Sequence, residues 1–239
     1  RELIWAWNQA LWDAPSKVLA KADPDPRLLL TTQLAPELEG VSHELMMISA
    51  YFVPGQPGLV YLTGRADAGV SVSLLTNSLE ATDVPAVHGG YAPYRKALLE
   101  HGVKLYELRR QPGDGGGSGP HLFRKGTFHG SDSSLHSKAI IFDREKSFIG
   151  SFNFDPRSVL WNTEVGVLVD SPELAEHVRN LALEGMAPAL SYQAKLQNGQ
   201  VVWVTEDNGQ LHTLTREPGS WWRRFNAWFA TSVGLERML

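Results

Sequence analysis

The segment His136-Ser137-Lys138-Ala139-Ile140-Ile141-Phe142-Asp143 carries an imidazole, an ammonium two positions later and a carboxylate five beyond that. Gly150-Ser151-Phe152-Asn153 follows closely. On a strand, residues two apart share a face, so His136 and Lys138 project together while Ala139 and Ile141 point the other way. Ser151 and Asn153 stand in the same relation, and an in-register hairpin would set their hydroxyl and amide beside the first pair. Such a donor-rich cluster suits a phosphodiester. Lys138 and Asn153 would stabilise charge on the non-bridging oxygens, while His136 attacks when neutral or protonates a leaving oxygen when charged. This chemistry requires neither a metal nor an organic cofactor. Asp143 has the opposite parity from His136 and lies at the far end of its strand, which makes it a structural partner for Lys138 or for a turn amide. Glu164 could hold an imidazole in one tautomer.

A chance His-x-Lys-x-x-x-x-Asp arises in roughly one chain in a hundred of this composition, and Gly150, Ser151, Asn153 and Glu164 at their spacings make coincidence much rarer. The 239 residues, 43% apolar and 20% charged, suffice for one sizeable core plus an appendage. Lys and Arg number 22 against 26 Asp and Glu, a net charge of −4 with no basic run, so nucleic acid is not the expected partner. Without cysteine, disulfides, thiolate metal sites and cysteine nucleophiles are excluded. His121, His129 and His136 match no metal-ligand spacing. The longest apolar stretch, 45–53, is far short of the roughly 20 residues that span a bilayer. The opening Arg1-Glu2-Leu3 reads as the start of an excised or processed piece.

The elements that must position these residues follow from periodicity. Leu3 to Ala22 reads as an amphipathic helix broken at Pro15, and Leu28 to Leu38 as a second helix. Glu44 to Val53 is a β-rich run stopped by Pro54-Gly55. A helix before Gly69, a strand from Val70 to Leu75, a loop from Thr76 to Val87 with His88 beside it, a helix from Ala92 to His101 and a strand from Val103 to Leu108 come next. This alternation predicts an α/β domain with a mixed, largely parallel sheet flanked by helices. After the Gly-rich loop Gln111 to Ser134 come strands over 138–142, 147–152 and 164–169, then a helix from Pro172 to Leu183. Asn198-Gly199 and Asn208-Gly209 predict a three-stranded meander over Tyr192 to Leu214. The tail puts Trp222, Phe225, Phe229 and Val233 at helical spacing. Residues 1–190 are expected to form the catalytic lobe, and 191–239 the meander and terminal amphipathic helix.

With its His-Lys-Asp motif and Gly-Ser-x-Asn, the sequence resembles the phospholipase D superfamily. Ile48 to Gly55, Leu75-Thr76-Asn77-Ser78 with Asp83, Tyr94-Arg95, Asn153 to Ser158, Asn162-Thr163-Glu164, Glu217-Pro218-Gly219 and the closing Leu235 to Leu239 are similar to the second half of bacterial cardiolipin synthases of the C type. Ala50 departs from the Pro more usual there. The resemblance implies transfer of a phosphatidyl group through phosphohistidine, with one motif from each of two lobes. His136 would be the acid and base, with Lys138, Asp143, Ser151, Asn153 and Glu164 completing its site. No other histidine here has Lys two positions later, so the resemblance further implies pairing with an N-terminal lobe bearing the first motif, or a homodimer. Tyr51, Asn77, Tyr94 and Arg95 would line the phospholipid pocket or hold the fold, and Asp155, Arg157 and Ser158 would fix the loop after Asn153. Trp221, Trp222, Arg223, Arg224 and Trp228 suit an interfacial helix on a membrane surface, the inner membrane of a bacterium by resemblance. A nuclease-type phosphodiesterase and a non-catalytic, membrane- or partner-binding half are the alternatives.

Overall fold

The computed structural model describes residues 3–19, 25–110, 135–223 and 225. Among these residues, ten strands form one sheet: β1 (Trp7–Trp12), β2 (Glu44–Ile48), β3 (Ser71–Asn77), β4 (Lys104–Leu108), β5 (Ala139–Phe142), β6 (Lys146–Gly150), β7 (Val165–Asp170), β8 (Ser191–Gln197), β9 (Gln200–Asp207) and β10 (Gln210–Leu214). Their spatial order is β1-β7-β6-β5-β2-β3-β4-β8-β9-β10. The helices are α1 (Leu30–Gly40), α2 (Gly55–Asp67), α3 (Pro85–Tyr91), α4 (Arg95–Glu100), α5 (Pro156–Leu160) and α6 (Pro172–Gly185). No described helix is long and apolar enough to cross a membrane.

β2 sits near the centre and is buried at every position, as the apolar run Leu45–Ile48 requires of a strand covered on both faces. Leu45 and Met47 point into a core with Leu34 of α1, Leu62 of α2 and Leu98 of α4. Met46 and Ile48 point the other way, against Ala175, Val178 and Ala182 of α6. The result is three layers, with the sheet between two sets of helices. α6 starts where Ser171 accepts a hydrogen bond from the Leu174 N–H at 3.2 Å and Pro172 occupies the first turn.

The mixed α/β fold, the helix after Pro172 and the meander are as expected. Asn198, Gly199, Asn208 and Gly209 all have positive φ, the conformation that a two-residue hairpin turn imposes. β8 pairs with β4, so the meander continues the main sheet. The expected preponderance of parallel pairing is not observed. Among the described residues, only β2 with β3 and β3 with β4 are parallel; the other seven strand pairs are antiparallel. Helical crossovers join strands that then lie side by side over 44–108, whereas β5 and β6 are joined by the turn Asp143-Arg144-Glu145, too short for a parallel return.

Over its described part, residues 3–19, the helix expected from Leu3 to Ala22 is also absent. Trp7–Trp12 is instead an edge strand antiparallel to β7, with Leu11 fully buried, and Pro15–Leu19 forms a 3₁₀ turn. Bulky aromatic residues favour a pleated surface, and β7 offers an open edge on which to form it. The stretch expected as a loop before Val87 turns into α3, which carries His88. The Gly-rich stretch over 111–134 lies outside the described residues.

Candidate active site

His136 and Lys138 lie in the extended segment that feeds β5. Asn77, at the end of β3, fixes that segment: its Nδ2 donates to the Leu135 carbonyl at 3.1 Å and its Oδ1 accepts from the Leu135 N–H at 2.8 Å. A third bond, to the Ala50 carbonyl at 3.1 Å, ties the clamp to the end of β2. The residue before His136 is thereby held on both its backbone groups. Lys138 Nζ donates to the His136 carbonyl at 2.7 Å, and the Gly150 N–H reaches the Lys138 carbonyl at 3.3 Å.

His136, Lys138 and Ser151 line one open cavity of about 500 Å³, together with Gly150, Gly166 and the apolar side chains of Ala10, Val165 and Val167. Gly150 and Gly166 face one another across β6 and β7. A Cβ on Gly150 would meet the Val165 carbonyl oxygen and come within 2.7 Å of the Gly166 Cα, while one on Gly166 would strike the Phe148 ring. The close approach of the two strands requires glycine at both positions.

The Ser151 hydroxyl donates to the Glu164 carboxylate and accepts from the Val165 N–H at 3.1 Å. Glu164, Asp155 and Asp83 all act electrostatically on Lys138. Burial pushes the Lys138 ammonium below its usual range, and these carboxylates oppose that shift in part. The cavity thus presents an imidazole, a desolvated cation and a hydroxyl oriented by a buried carboxylate, with no fixed anion among the lining side chains. That arrangement can receive a phosphate diester, giving its oxygens positive charge and its leaving oxygen a proton source.

Asn153, Asp143, Tyr51 and Arg95 are not among the residues that line this cavity. β6 ends at Gly150, so Ser151 and Asn153 are on the following loop and not on the strand itself. Phe152, between them, is buried in the same core as Phe148. The Asn153 side-chain oxygen accepts from the Tyr51 N–H at 3.3 Å. Asp143, at the other end of β5, accepts from the N–H groups of Ser42, His43 and Glu44 at 2.9, 2.7 and 2.8 Å, so its partners are turn amides and not Lys138. Burial alone would raise its pKa, but these bonds outweigh that and hold the carboxyl below its usual range. Asp155 caps α5 through the Ser158 N–H at 2.8 Å.

Tyr51 donates its hydroxyl to Asp83 at 2.7 Å beside the site. Tyr94 packs partly buried against the core. Arg95 is buried, bonded to Glu107 at 2.6 Å and to His88 and Glu217, and stacked 4.7 Å over the Tyr91 ring. His88 is therefore a buried network residue, not the loop residue expected. His88, Glu107 and Glu217 bring three ligand-type atoms within 4.8 Å of one another, but the Arg95 guanidinium already supplies the cation among them. Trp221 and Trp222 are 69% and 61% exposed and stack with Phe225 at 5.8 and 5.7 Å. Arg223 does not project freely, because it donates to the Leu79 and Thr82 carbonyls at 3.1 and 2.6 Å. Arg224 and Trp228 lie outside the described residues.

Sequence reasoning missed Asp13 and Lys17, a buried pair behind Glu164. Their only signal is an Asp and a Lys four apart, which reads as an exposed helical pair.

Comparison with known proteins bears on these features. The family described as cardiolipin synthase, PLD-like domain, matches residues 34–184. Cardiolipin synthase C of Escherichia coli (strain K12) is 38% identical over 242 residues, covering 99% of this chain and 49% of that protein. An uncharacterized protein of Helicobacter pylori (strain 26695) is 33% identical, covering 90% and 40%. The chain thus spans about half the length, or less, of the curated relatives it matches. Among solved structures, the phospholipase D family member Nuc of Salmonella typhimurium superposes with a TM-score of 0.54 at 15% identity, covering 80% of this chain and all of that one. A phosphatidylserine synthase of Haemophilus influenzae gives 0.55 at 12% identity, covering 78% and 39%. These two likenesses speak to the fold.

Proposed function

The chain belongs to the cardiolipin synthase family of phospholipase D-like proteins, and from that premise we propose that it is one catalytic lobe of a phosphatidyltransferase. The observation that carries this reading is the convergence of His136, Lys138 and Ser151 on one cavity with an apolar flank. A phospholipid needs both halves of such a cavity, cations for the phosphate and apolar surface beside them.

In the proposed reaction a histidine of a second lobe attacks phosphorus, and the P–O bond to the leaving alcohol breaks as His136 gives that oxygen its proton. The neutral His136 then takes the proton of an acceptor alcohol, whose oxygen displaces the first histidine and breaks the P–N bond. Lys138 holds the non-bridging oxygens throughout, and Ser151, fixed by Glu164, orients the phosphate. Two observations favour a second lobe. The chain corresponds to 49% of cardiolipin synthase C. Beside the cavity, Trp12, Ile149, Val165 and Val167 leave an apolar sheet face exposed.

Contact with a bilayer belongs to the same reading. The aromatic cluster at Trp221, Trp222 and Phe225 is tethered by Arg223 to the 79–82 loop, and the adjacent Asp83 bonds Tyr51 at the site. An amphipathic aromatic surface there would bring the cavity mouth to the headgroup level.

The test is complementation on phosphatidylglycerol vesicles, with lipids followed by mass spectrometry. Cardiolipin formed only when the chain is mixed with a lobe carrying the first motif supports the reading. Turnover by the chain alone, at a rate rising with the square of its concentration, would replace the second lobe with a homodimer. Absence of turnover in both arrangements would overturn the proposed activity.

A further inference from the structure

Asp13 and Lys17 form an ion pair with a 2.7 Å contact, 5% and 1% exposed, close behind the cavity. Asp13 Oδ2 also accepts the Glu164 N–H at 2.8 Å, and the Asp13 N–H donates to the Glu164 carbonyl at 2.9 Å. Both backbone groups of Glu164 are therefore held by one residue. Asp13 Oδ1 takes the Leu30 N–H at 2.6 Å, at the start of α1, where no neighbouring side chain caps the helix. Lys17 Nζ donates in addition to the Ser158 carbonyl at 2.9 Å, in α5. The loop from Ser151 to Glu164 is thus anchored on α5 and at its far end by the same pair.

A buried ion pair of this kind contributes little net stability, because desolvating two charges offsets their attraction, and apolar residues of similar volume serve as well. What such a pair does supply is a fixed geometry. We propose that Asp13 and Lys17 are positioning residues for the reaction, setting Glu164 so that its carboxylate grips Ser151 and faces Lys138. The inference rests on the reading of the cavity as the reacting site, and it concerns residues of β1's C-terminal flank whose side-chain hydrogen bonds go to one another and to the backbone of Leu30, Ser158 and Glu164, so that they act through Glu164.

The test reads Lys138 directly, through the pH titration of its ¹³Cε resonance in the folded chain. Glu164, Asp155 and Asp83 are the carboxylates acting on that ammonium, and His136 is the other titratable group lining the same cavity. Glu164→Gln removes one of these charges and lowers the Lys138 midpoint. Asp13→Asn, nearly isosteric, is expected to lower it in the same direction, and the double variant to fall no further than Glu164→Gln alone. A role confined to capping α1 would lower the melting temperature and leave the Lys138 midpoint at its wild-type value. That result, or full additivity in the double variant, overturns the proposal. If Asp13→Asn does not fold, Lys17→Arg decides: the charge is kept but the head group moves, so a lowered midpoint supports positioning and an unchanged one refutes it. Where turnover is measurable, Asp13→Asn is expected to reduce kcat by up to about 100-fold with KM unchanged, the effect of a displaced catalytic group. The titration needs no turnover, so an inactive wild type would refute the proposed function without deciding this inference.

Discussion

At Lys138, burial works against the ammonium and three carboxylates recover only part of the cost. Its folded pKa lies below the unfolded value near 10.5, so at neutral pH the charged form is penalised by folding. Stability contributed at this site therefore rises as pH climbs from the folded value toward 10.5, because the unfolded chain binds the proton more tightly there. Lys138→Met should abolish that rise and hold or increase the melting temperature at pH 7, while phosphatidyl transfer falls by about 10²- to 10³-fold. Calorimetry between pH 7 and 10.5 with a parallel turnover assay checks both halves. His136 and Lys138 were legible from sequence because their spacing of two has one meaning on an extended chain. Asn77 was expected to line the pocket or hold the fold, but its partner was not legible: it clamps Leu135, 58 positions away. Asp13 was not legible at all, since nothing local marks its burial.

At the scale of elements, the hairpin of β5 and β6 is stapled to the loop before β2 by Asp143. Its folded pKa is depressed, so the staple stabilises the fold above the usual carboxylate range and is lost as pH falls through the folded value. Asp143→Asn should cost about 1–2 kcal/mol at pH 7. Asn tolerates the positive φ of 51° at this position, so the loss reports the charge and not backbone strain. Urea titrations at pH 7 and pH 3 should show the wild-type advantage shrinking at the lower pH, with kcat at pH 7 preserved. Gly166→Ala is expected to destabilise by about 1–3 kcal/mol through overpacking against Phe148, measured the same way. The meander and α6 were readable because Asn-Gly turns and a Ser-Pro helix start are local signals. β1 was not, because Trp7, Leu11 and Trp12 fit a helical period as well as a strand, and what decides is the open edge of β7 more than 150 residues on.

For the whole molecule, the reading joins three surfaces: the cavity, the apolar sheet face beside it and the aromatic cluster held by Arg223. Replacing Trp221 and Trp222 by Ser should weaken binding to phosphatidylglycerol vesicles in flotation assays and raise KM for vesicular lipid, while turnover of a monomeric short-chain phospholipid is retained. Equal loss on both substrates would assign these residues to the fold and not to the bilayer. The central claim is that the cavity at His136 transfers phosphatidyl groups. Its most direct measurement compares wild type with His136→Ala, each mixed with a first-motif lobe on phosphatidylglycerol vesicles, with cardiolipin quantified by mass spectrometry and folding verified by circular dichroism. The account predicts a loss of about 10²- to 10⁴-fold in a variant that remains folded; cardiolipin formation persisting at the wild-type rate would contradict it.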